Sequence, residues 1–520
     1  MNTLAPCLMI QGTGSGVGKS VLATAFCRWF ARAGYRVAPF KSQNMALNAS
    51  VTVDGGEIGR AQAAQAEAAG IEPTVDMNPI LLKPETDHRS QIVVRGQALT
   101  TVDFNAYLRM QPTLLPIVAE SLARLRRSYE LIVIEGAGSP AEINLREGEI
   151  VNMRIARLAD AVVILVGDID RGGVFASLLG TMELLDAGDR KRVGGFIINK
   201  FRGDASLLEP GVDVLTSRTG VPVLGVVPHF AERLVPAEDA LDLDAATPVV
   251  GPIVVDIAVV RLPRISNFDD FEPLAREPGV HVRFARTPAE LAAADAIVLP
   301  GSKSTIADLQ WLRARGLASA ISAAAGEGRA VIGVCGGYQM LGHAIHDPEH
   351  VESQADTTPG LGLLPVVTTF AATKTTVRVR AAVTADAGPF AGAAGGEVAA
   401  YEIHAGRTDG DAAPRPFVVV SRRGAAVREF DGATNGAGTV VGTYLHGLFA
   451  NGGLRRAFLA HLATHKGEPP ADAWGAGESA IDRYDRLADI VDDAVDLRAI
   501  SKLVGLESRG ADRGRAPDRS

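Results

Sequence analysis

The stretch "LMIQGTGSGVGKS", residues 8–20, joins a short apolar run to a turn with four glycines and a Gly-Lys-Ser sequence. The residues after it, "VLATAFCRWFARAG" (21–34), have the apolar spacing of a helix. A glycine-rich turn between a buried strand and a helix lets backbone N–H groups face phosphate oxygens, and the helix dipole also attracts anions. The segment therefore predicts a phosphate-binding loop at the edge of an α/β sheet.

Specific positions of this loop carry specific expectations. Lys19 is expected to reach the terminal phosphates of a nucleotide, and Ser20 to bind Mg²⁺. The usual spacing starts with glycine, but Thr13 stands at that position, so this is a variant loop. The residues expected to contact the nucleotide here are Gly12, Thr13, Gly16, Gly18, Lys19 and Ser20.

A nucleotide site also needs a carboxylate at the end of a neighbouring strand to hold the metal ion. Glu135 fits this requirement because it follows the apolar run "LIVI" (131–134) and precedes glycine. Glu57 is a candidate for a second metal carboxylate, with Asp54 as its competitor. Asn199 ends another apolar run and is a candidate to contact the adenine edge, although a loop cap explains it nearly as well.

Short Val- and Ile-rich runs alternate with helical patterns along the whole chain, as in "AVVILVGD" (161–168) and "AIVLPG" (296–301). Continuously apolar strands separated by helices indicate parallel sheets covered on both faces, so the predicted fold class is α/β with two such units. The predicted organisation is a first unit (1–235), an acidic linker (236–252), a second unit (253–450), terminal helices (451–505) and a disordered tail (506–520).

Bulk composition excludes several classes of protein. The 520 residues carry 60 acidic and 52 basic side chains, a net charge of -8, which argues against nucleic acid or an anionic membrane as a partner. Three cysteines do not make a disulfide framework, and no apolar run approaches the ~20 residues of a membrane span. The N-terminus has no signal-peptide pattern. These features predict a soluble, cytoplasmic protein, and they leave room for a local basic pocket that binds an acidic small molecule.

The stretch "VIGVCGGYQMLG" (331–342) places Cys335 in a G-x-C-x-G pattern between a strand and a helix. Such an elbow projects a nucleophile clear of its backbone, and a helix N-terminus favours the thiolate. The N–H of Gly336 is expected to face the carbonyl under attack, with Gly301 completing the oxyanion hole. Cys7 and Cys27 fall at apolar positions of the first strand and helix and are predicted to be core residues.

A thiolate nucleophile needs a residue that moves protons. His446 in "VVGTYLHGLF" (440–449) follows an apolar strand at a glycine-flanked turn, which favours it for this role. His404 in "YEIHAGRT" (401–408) is the rival candidate.

Taken together, the motifs of the chain resemble those of the cobyric acid synthase family, the glutamine-dependent amidases of cobalamin biosynthesis. The motifs are "GTGSGVGKS" (12–20), "FKSQNMALNAS" (40–50), "EGAGSPAEINL" (135–145), "LPGSKST" (299–305), "GVCGGYQMLG" (333–342) and "GTYLHGLF" (442–449). The resemblance implies a first unit similar to dethiobiotin synthetase, whose relatives share the variant loop. It implies a second unit similar to class I glutamine amidotransferases.

The resemblance also implies a reaction. Cys335 would attack the side-chain amide of glutamine and release ammonia, with His446 moving the protons. The first unit would use ATP and Mg²⁺ to phosphorylate a carboxylate that ammonia then converts to an amide. The implied substrate is adenosylcobyrinic acid a,c-diamide, amidated at its b, d, e and g carboxylates to give adenosylcobyric acid.

A substrate with several carboxylates needs basic contacts. The polar stretch 81–96 offers Lys83, Arg89 and Arg95, and Lys41 is a candidate to hold the reacting carboxylate or the γ-phosphate. One feature departs from the class I pattern, because the position two residues after His446, usually Glu, is Leu448. The third member of the triad is therefore absent or replaced, with Glu402 as a candidate replacement.

Three alternatives remain at this stage. Cobyrinic acid a,c-diamide synthase has the same two-unit plan, and so does a cell-wall amidating enzyme with a fused glutaminase. The segments "KSQNMALN" (41–48) and "RISNFDDFEPL" (264–274) favour cobyric acid synthesis over both. A partition-type ATPase acting as a binding module would leave Cys335 and His446 without a role.

Overall fold

The computed structural model of the chain describes residues 4–145, 148–237, 251–410 and 413–506. Residues 238–250 of the predicted linker and 507–520 of the predicted tail lie outside the described residues.

The first unit contains a six-stranded sheet in the order β12-β11-β10-β1-β9-β2, with every neighbouring pair parallel. Two smaller sheets, β3-β6-β7-β8 and β4-β5, lie beside it. Its elements are β1 (Cys7–Gly12), α1 (Lys19–Arg32), β2 (Val37–Phe40), β3 (Gln43–Met45), β4 (Ala49–Val51), β5 (Glu57–Gly59), α2 (Arg60–Ala68), β6 (Ile80–Pro84), β7 (Arg89–Val94), β8 (Gln97–Asp103), α3 (Phe104–Ser128), β9 (Leu131–Glu135), α4 (Met153–Ala159), β10 (Val162–Asp168), α5 (Val174–Leu184), α6 (Ala187–Arg190), β11 (Val193–Phe201), α7 (Glu209–Thr219) and β12 (Val223–Pro228).

The central strands of this sheet are buried on both faces because helices cover them, as their continuous apolar sequence requires. Parallel strands all end at the same edge. Gly12 of β1, Glu135 of β9 and Asn199 of β11 therefore come together at the carboxyl edge of the sheet.

The second unit is also α/β, so the predicted fold class is confirmed. Its main sheet has the order β15-β13-β16-β18-β26-β25 and is parallel except for β25. Its elements are β13 (Val255–Val260), β14 (Ile265–Ser266), α8 (Glu272–Ala275), β15 (Val280–Ala285), α9 (Pro288–Ala292), β16 (Ala296–Leu299), β17 (Gly301–Ser302), α10 (Thr305–Ala314), α11 (Leu317–Gly326), β18 (Ala330–Val334), α12 (Gly336–Leu341), β19 (Ala344–His346), β20 (Thr357–Pro359), β21 (Val367–Val383), β22 (Glu397–Asp409), β23 (Phe417–Arg422), β24 (Ala425–Asp431), β25 (Ala433–Thr434) and β26 (Val440–Thr443).

A second sheet of this unit is mainly antiparallel and is built around the long pair β21 and β22, with β19, β20, β23 and β24 beside them. The strand β21 also reaches the first unit, where Arg378 Nε donates to Val51 O at 2.6 Å. Short 3₁₀ turns occur at Val75–Met77, Ile143–Leu145, Ala205–Leu208, Phe268–Phe271, Gly388–Ala393 and Leu448–Ala450.

Three helices follow the second unit: α13 (Gly452–Lys466), α14 (Ala480–Ala494) and α15 (Leu497–Leu503). Helix α13 packs on the second unit, with the Phe449 and Phe458 rings 5.0 Å apart. Helix α14 returns to the first unit, where Arg28 Nε on α1 lies 2.8 Å from Asp485 Oδ1. The end of the chain thus contacts both units. Among the residues described, no helix has both the length and the apolar character needed to cross a membrane.

Candidate active sites

The phosphate loop connects β1 to α1 at the carboxyl edge of the first sheet. Gly18 has a φ of 101°, and a Cβ atom there would lie 2.1 Å from Asn199 Nδ2, so both conformation and space require glycine. Thr13 N donates to Val166 O at 2.9 Å, and Asn199 Nδ2 donates to Val17 O at 2.8 Å. Asn199 thus braces the loop, and its predicted contact with adenine stays a prediction.

Lys19 and Ser20 lie where the loop becomes α1. Lys19 Nζ donates to the carbonyl oxygens of Gly14 at 2.7 Å and Gly138 at 3.0 Å, so the ammonium group joins the loop to the segment that follows β9. Ser20 Oγ donates to Glu135 Oε1 at 2.9 Å. The loop serine and the strand-end carboxylate are therefore adjacent, as a site for Mg²⁺ requires.

Glu135 is the centre of a buried polar cluster. Lys41 Nζ lies 2.8 Å from Glu135 Oε1, and Gln65 Nε2 donates to Glu135 Oε2 at 2.6 Å. Burial alone would raise the pKa of Glu135, but the Lys41 ammonium and the hydrogen bonds from Lys41, Gln65 and Ser20 hold it below its usual range. The structure thus joins Lys41 to the phosphate loop through one ionised carboxylate.

Glu57, the candidate for a second metal carboxylate, lies in a buried cluster with two lysines, and its role at a metal site stays a prediction. Its two carboxylate oxygens are paired with lysines, Oε1 with Lys83 and Oε2 with Lys374 of β21 at 2.5 Å. Glu57 is 1% exposed, and the two lysines hold its pKa well below its usual range despite burial. The cluster of Glu57, Lys83 and Lys374 joins the two units, because each of these buried charges needs a partner of opposite charge.

The same cluster contains Lys83, which is 2% exposed and paired with Glu57, and its predicted contact with a substrate stays a prediction. Burial lowers the pKa of Lys83 to about 8, even though Glu57 favours its charged form. Arg89 is exposed at the start of β7. Asp54, the competitor of Glu57, accepts a hydrogen bond from Thr52 Oγ1 in the turn between β4 and β5.

In the second unit, Cys335 occupies the sharp turn between β18 and α12. Its φ of 53° and ψ of -110° are rare for a side-chain-bearing residue and are typical of a nucleophile elbow. Cys335 N donates to Thr443 O at 2.8 Å, which fixes the turn against β26. A Cβ atom at Gly337 would lie 2.0 Å from Leu299 O, so the glycine lets α12 pack directly on β16.

His446 lies next to the thiol and is oriented by a carboxylate. His446 Nδ1 lies 2.6 Å from Asp270 Oδ2, and Gly447 N donates to Asp270 Oδ1 at 2.8 Å. Burial disfavours the imidazolium, yet the charge and hydrogen bond of Asp270, together with the hydrogen bond and charge of Cys335, raise the pKa of His446 to about 10. Cys335, His446 and Asp270 form a geometric triad.

This arrangement corrects the suggestion that Glu402 replaces the missing triad carboxylate. Glu402 is paired with Arg422 Nη1 at 2.8 Å, and its Oε2 lies 3.7 Å from His404 Nε2. The His404 ring stacks on Tyr444 with centroids 3.8 Å apart. The two residues therefore form a separate polar group, and the contact with Cys335 belongs to His446.

Of the two glycines expected to form the oxyanion hole, Gly336 directly follows Cys335, whereas Gly301 lies close to His446. A Cβ atom at Gly301 would lie 3.4 Å from His446 Cε1, and one at Gly336 would lie 2.9 Å from Ser302 N. Both positions are therefore closely packed, and their role in an oxyanion hole stays a prediction.

Asp270 lies on the turn formed by residues 267–271, which the first unit supports directly. Asn267 has a φ of 52°, and its Nδ2 donates to Ala49 O at 2.7 Å and to Tyr401 Oη at 2.9 Å. Phe268 N donates to Asn48 Oδ1 at 3.2 Å. Two backbone-to-side-chain contacts from the first unit thus fix the turn that carries the triad carboxylate.

Three important residues escape the sequence analysis. Asp270 belongs to "SNFDDF" (266–271), where two adjacent carboxylates between two phenylalanines are the available signal. Arg60, which binds Asp269, and Gln65, which binds Glu135, both lie on α2. Gln65 stands within the alanine-rich helix "RAQAAQAEA" and is 0% exposed. A glutamine in such a helix indicates a polar partner when it is buried, although the sequence does not identify that partner.

Comparisons with known proteins match a domain family to each of the two units. Residues 8–237 match the CobQ/CobB/MinD/ParA nucleotide binding domain, and residues 256–454 match the CobB/CobQ-like glutamine amidotransferase domain. Cobyric acid synthase of Sorangium cellulosum (strain So ce56) is 54% identical, with the match covering 96% of this chain and 99% of that protein. The cobyric acid synthase of Dehalococcoides mccartyi (strain CBDB1) is 52% identical, over 96% of this chain and 99% of that protein. The cobyric acid synthase of Moorella thermoacetica is 50% identical, over 97% of this chain and 98% of that protein.

Proposed function

Because the chain belongs to the cobyric acid synthase family, and so is a glutamine-hydrolysing carbon–nitrogen ligase, we propose that it converts adenosylcobyrinic acid a,c-diamide to adenosylcobyric acid. It amidates the b, d, e and g carboxylates with ammonia taken from glutamine. The observation that carries the proposal is the Cys335–His446–Asp270 arrangement in the same chain as a phosphate loop. A nitrogen source and an activation site are both needed to make amides from carboxylates.

Glutamine hydrolysis begins at Cys335, whose thiolate attacks the side-chain amide carbon. The N–H groups of Gly336 and Gly301 stabilise the oxyanion, and His446 gives its proton to the departing ammonia. Water then attacks the thioester while His446 takes up a proton, and glutamate leaves. Asp270 holds the imidazole ring in orientation and stabilises its charged form.

In the first unit, the loop N–H groups and Lys19 hold the phosphates of ATP. The substrate carboxylate attacks the γ-phosphorus and forms an acyl phosphate with release of ADP. Ammonia from the second unit then attacks the acyl carbon, and phosphate leaves. Lys41, held beside Glu135, is suited to bind the reacting carboxylate or the γ-phosphate because its charge is fixed within the site.

The residues around Glu135 fit Mg²⁺. Ser20 and Glu135 supply the oxygen ligands that this ion prefers, and Gln65 Oε1 is a buried acceptor without a hydrogen-bond partner among the described residues. Ser20 and Glu135 would hold the ion, which when bound neutralises charge on the β- and γ-phosphates.

The proposal is tested by phosphate release with ATP, Mg²⁺ and adenosylcobyrinic acid a,c-diamide, in wild type and Cys335→Ala, each supplied with glutamine or with an ammonium salt. We expect Cys335→Ala to be inactive with glutamine and to match wild type with ammonium, because only the nitrogen supply is lost. Failure of wild type to release phosphate with this corrinoid under either nitrogen source would refute the substrate assignment.

A further inference from the structure

The carboxylate next to Asp270 is held by a residue of the first unit. Asp269 Oδ2 lies 2.7 Å from Arg60 Nε, across the boundary between the units. The Asp269 side chain is 8% exposed, so its charge needs this partner. Burial raises the pKa of Asp269 to about 6 even with Arg60 beside it. Without Arg60 the carboxylate would have to take up a proton or move towards water.

A shift of Asp269 cannot leave Asp270 unaffected, because the two are consecutive residues of a single short turn. The Asp270 carboxylate accepts from Gly447 N and is hydrogen-bonded to His446 Nδ1, so its position is constrained by two partners. Since hydrogen bonds weaken steeply with misalignment, a small rotation of the turn would release the imidazole. Arg60 therefore acts on His446 through two adjacent carboxylates.

The helix that carries Arg60 is also held at a second residue, further along its length. It is the first residue of α2, and Gln65, five residues further along, donates to Glu135 Oε2 at 2.6 Å. At about 1.5 Å per residue, α2 bridges roughly 7.5 Å between the nucleotide site and the boundary of the units. The helix that contacts the metal carboxylate is thus the helix that presents Arg60 to the glutaminase.

We propose that Arg60 is a positioning residue for glutamine hydrolysis. From the first unit it holds Asp269, and with it Asp270, so that the His446 imidazole stays aligned with Cys335. This proposal rests on the glutaminase role given above to Cys335 and His446. It makes the glutaminase site incomplete in the second unit alone.

The test compares Arg60→Met with Arg378→Met by measuring glutamate release from glutamine. Both variants remove an arginine that joins the two units, but Arg378 binds Glu72 and Val51 O instead of the 267–271 turn. We expect Arg60→Met to lower kcat at least about tenfold with little change in KM, because alignment of His446 affects the chemical step more than binding. Arg378→Met is expected to behave like wild type.

Two further variants separate positioning from stability. Arg60→Lys keeps the charge and is expected to recover part of the lost kcat. The double variant Arg60→Met/Asp269→Asn removes the unpaired carboxylate, so it folds even where the single variant does not, and its kcat is expected to stay low. Phosphate release with ammonium should be retained in all of these variants, which reports an intact first unit.

Equal kcat values for Arg60→Met and Arg378→Met would overturn the inference, as would full recovery of kcat in the double variant. A wild-type protein that releases no glutamate from glutamine would instead refute the proposed function, so the two failures are distinguishable.

Discussion

Replacing Asp270 with asparagine tests the triad most directly, because the change keeps the size of the side chain and removes its charge. In the native structure the carboxylate holds the Nδ1 side of His446 at 2.6 Å and also accepts from Gly447 N. An amide presents an N–H group as readily as an oxygen, so it no longer fixes the tautomer of the imidazole. The result expected is a misaligned and largely neutral His446.

The pKa of His446 gives the size of the effect. Burial opposes the charged ring, yet Asp270 and Cys335 raise this pKa to about 10, against about 6.5 for an ordinary histidine. The difference of about 3.5 in pKa corresponds to roughly 5 kcal/mol in favour of the imidazolium, of which Asp270 is the largest favourable source. The Asp270→Asn change is therefore expected to lower kcat by about 10⁴-fold, the fall seen when a triad carboxylate becomes an amide.

The sign of the pH dependence follows from the same value. The stabilisation of the charged ring is complete below about pH 6.5 and is lost as the pH rises through about 10. Wild-type glutaminase activity should therefore persist well above neutrality, and the alkaline limb should move to lower pH in Asp270→Asn because the largest effect that opposes burial is then lost.

The assay is glutamate release from glutamine across this pH range, with ammonium-dependent phosphate release as a measure of the other site. Glu402→Gln is the matched control, because Glu402 is paired with Arg422 and His404 instead of His446. A kcat of Asp270→Asn within about threefold of wild type, with a large loss in Glu402→Gln, would refute this account of the triad.

Three other substitutions have definite expectations. Glu135→Gln should lower ATP-dependent phosphate release with ammonium at least about 100-fold, since it removes the charge opposite Lys41 and the metal ligand; unchanged release would contradict that role. Lys83→Met should lower the free energy of unfolding by about 3 kcal/mol in urea, because Glu57 keeps only one of its two partners; a change mainly in substrate KM would favour a substrate contact instead. Gly337→Ala should reduce the free energy of unfolding by about 3 kcal/mol and lower the melting temperature, because its Cβ would lie 2.0 Å from a backbone carbonyl oxygen. A melting curve like that of the wild type would contradict this packing.

The sequence predicts those parts of the site that depend on local order along the chain. The strand, loop and helix around Lys19 and Ser20 and the elbow at Cys335 are contiguous, so their residue types and spacing are enough to predict their local structure. Glu135 is predictable for the same reason, as it directly ends an apolar strand.

Residues whose partners are distant in sequence are harder to assign. Glu57 has the residue type of a metal ligand, but its environment is set by Lys374, which is 317 positions away. Asp270 and His446 are separated by 176 positions, and nothing local distinguishes Asp270 from its neighbour Asp269. Sequence patterns identify charged residues that are candidates for a site, whereas the partners of these residues depend on how the two units contact each other.

The position of the triad carboxylate follows from the chain direction after His446. Gly447 turns with a φ of 76°, and Leu448 then enters the core at 3% exposure, so a carboxylate at that position would face apolar side chains instead of the imidazole. The turn also aims the Gly447 N–H at the incoming carboxylate, which lets Asp270 accept from two donors at once. A carboxylate that comes from a separate turn needs its own support, and here that support comes from Asn48, Ala49 and Arg60 of the first unit. Because the third triad member lies away from the histidine strand, we expect glutamine hydrolysis to depend on contact between the two units.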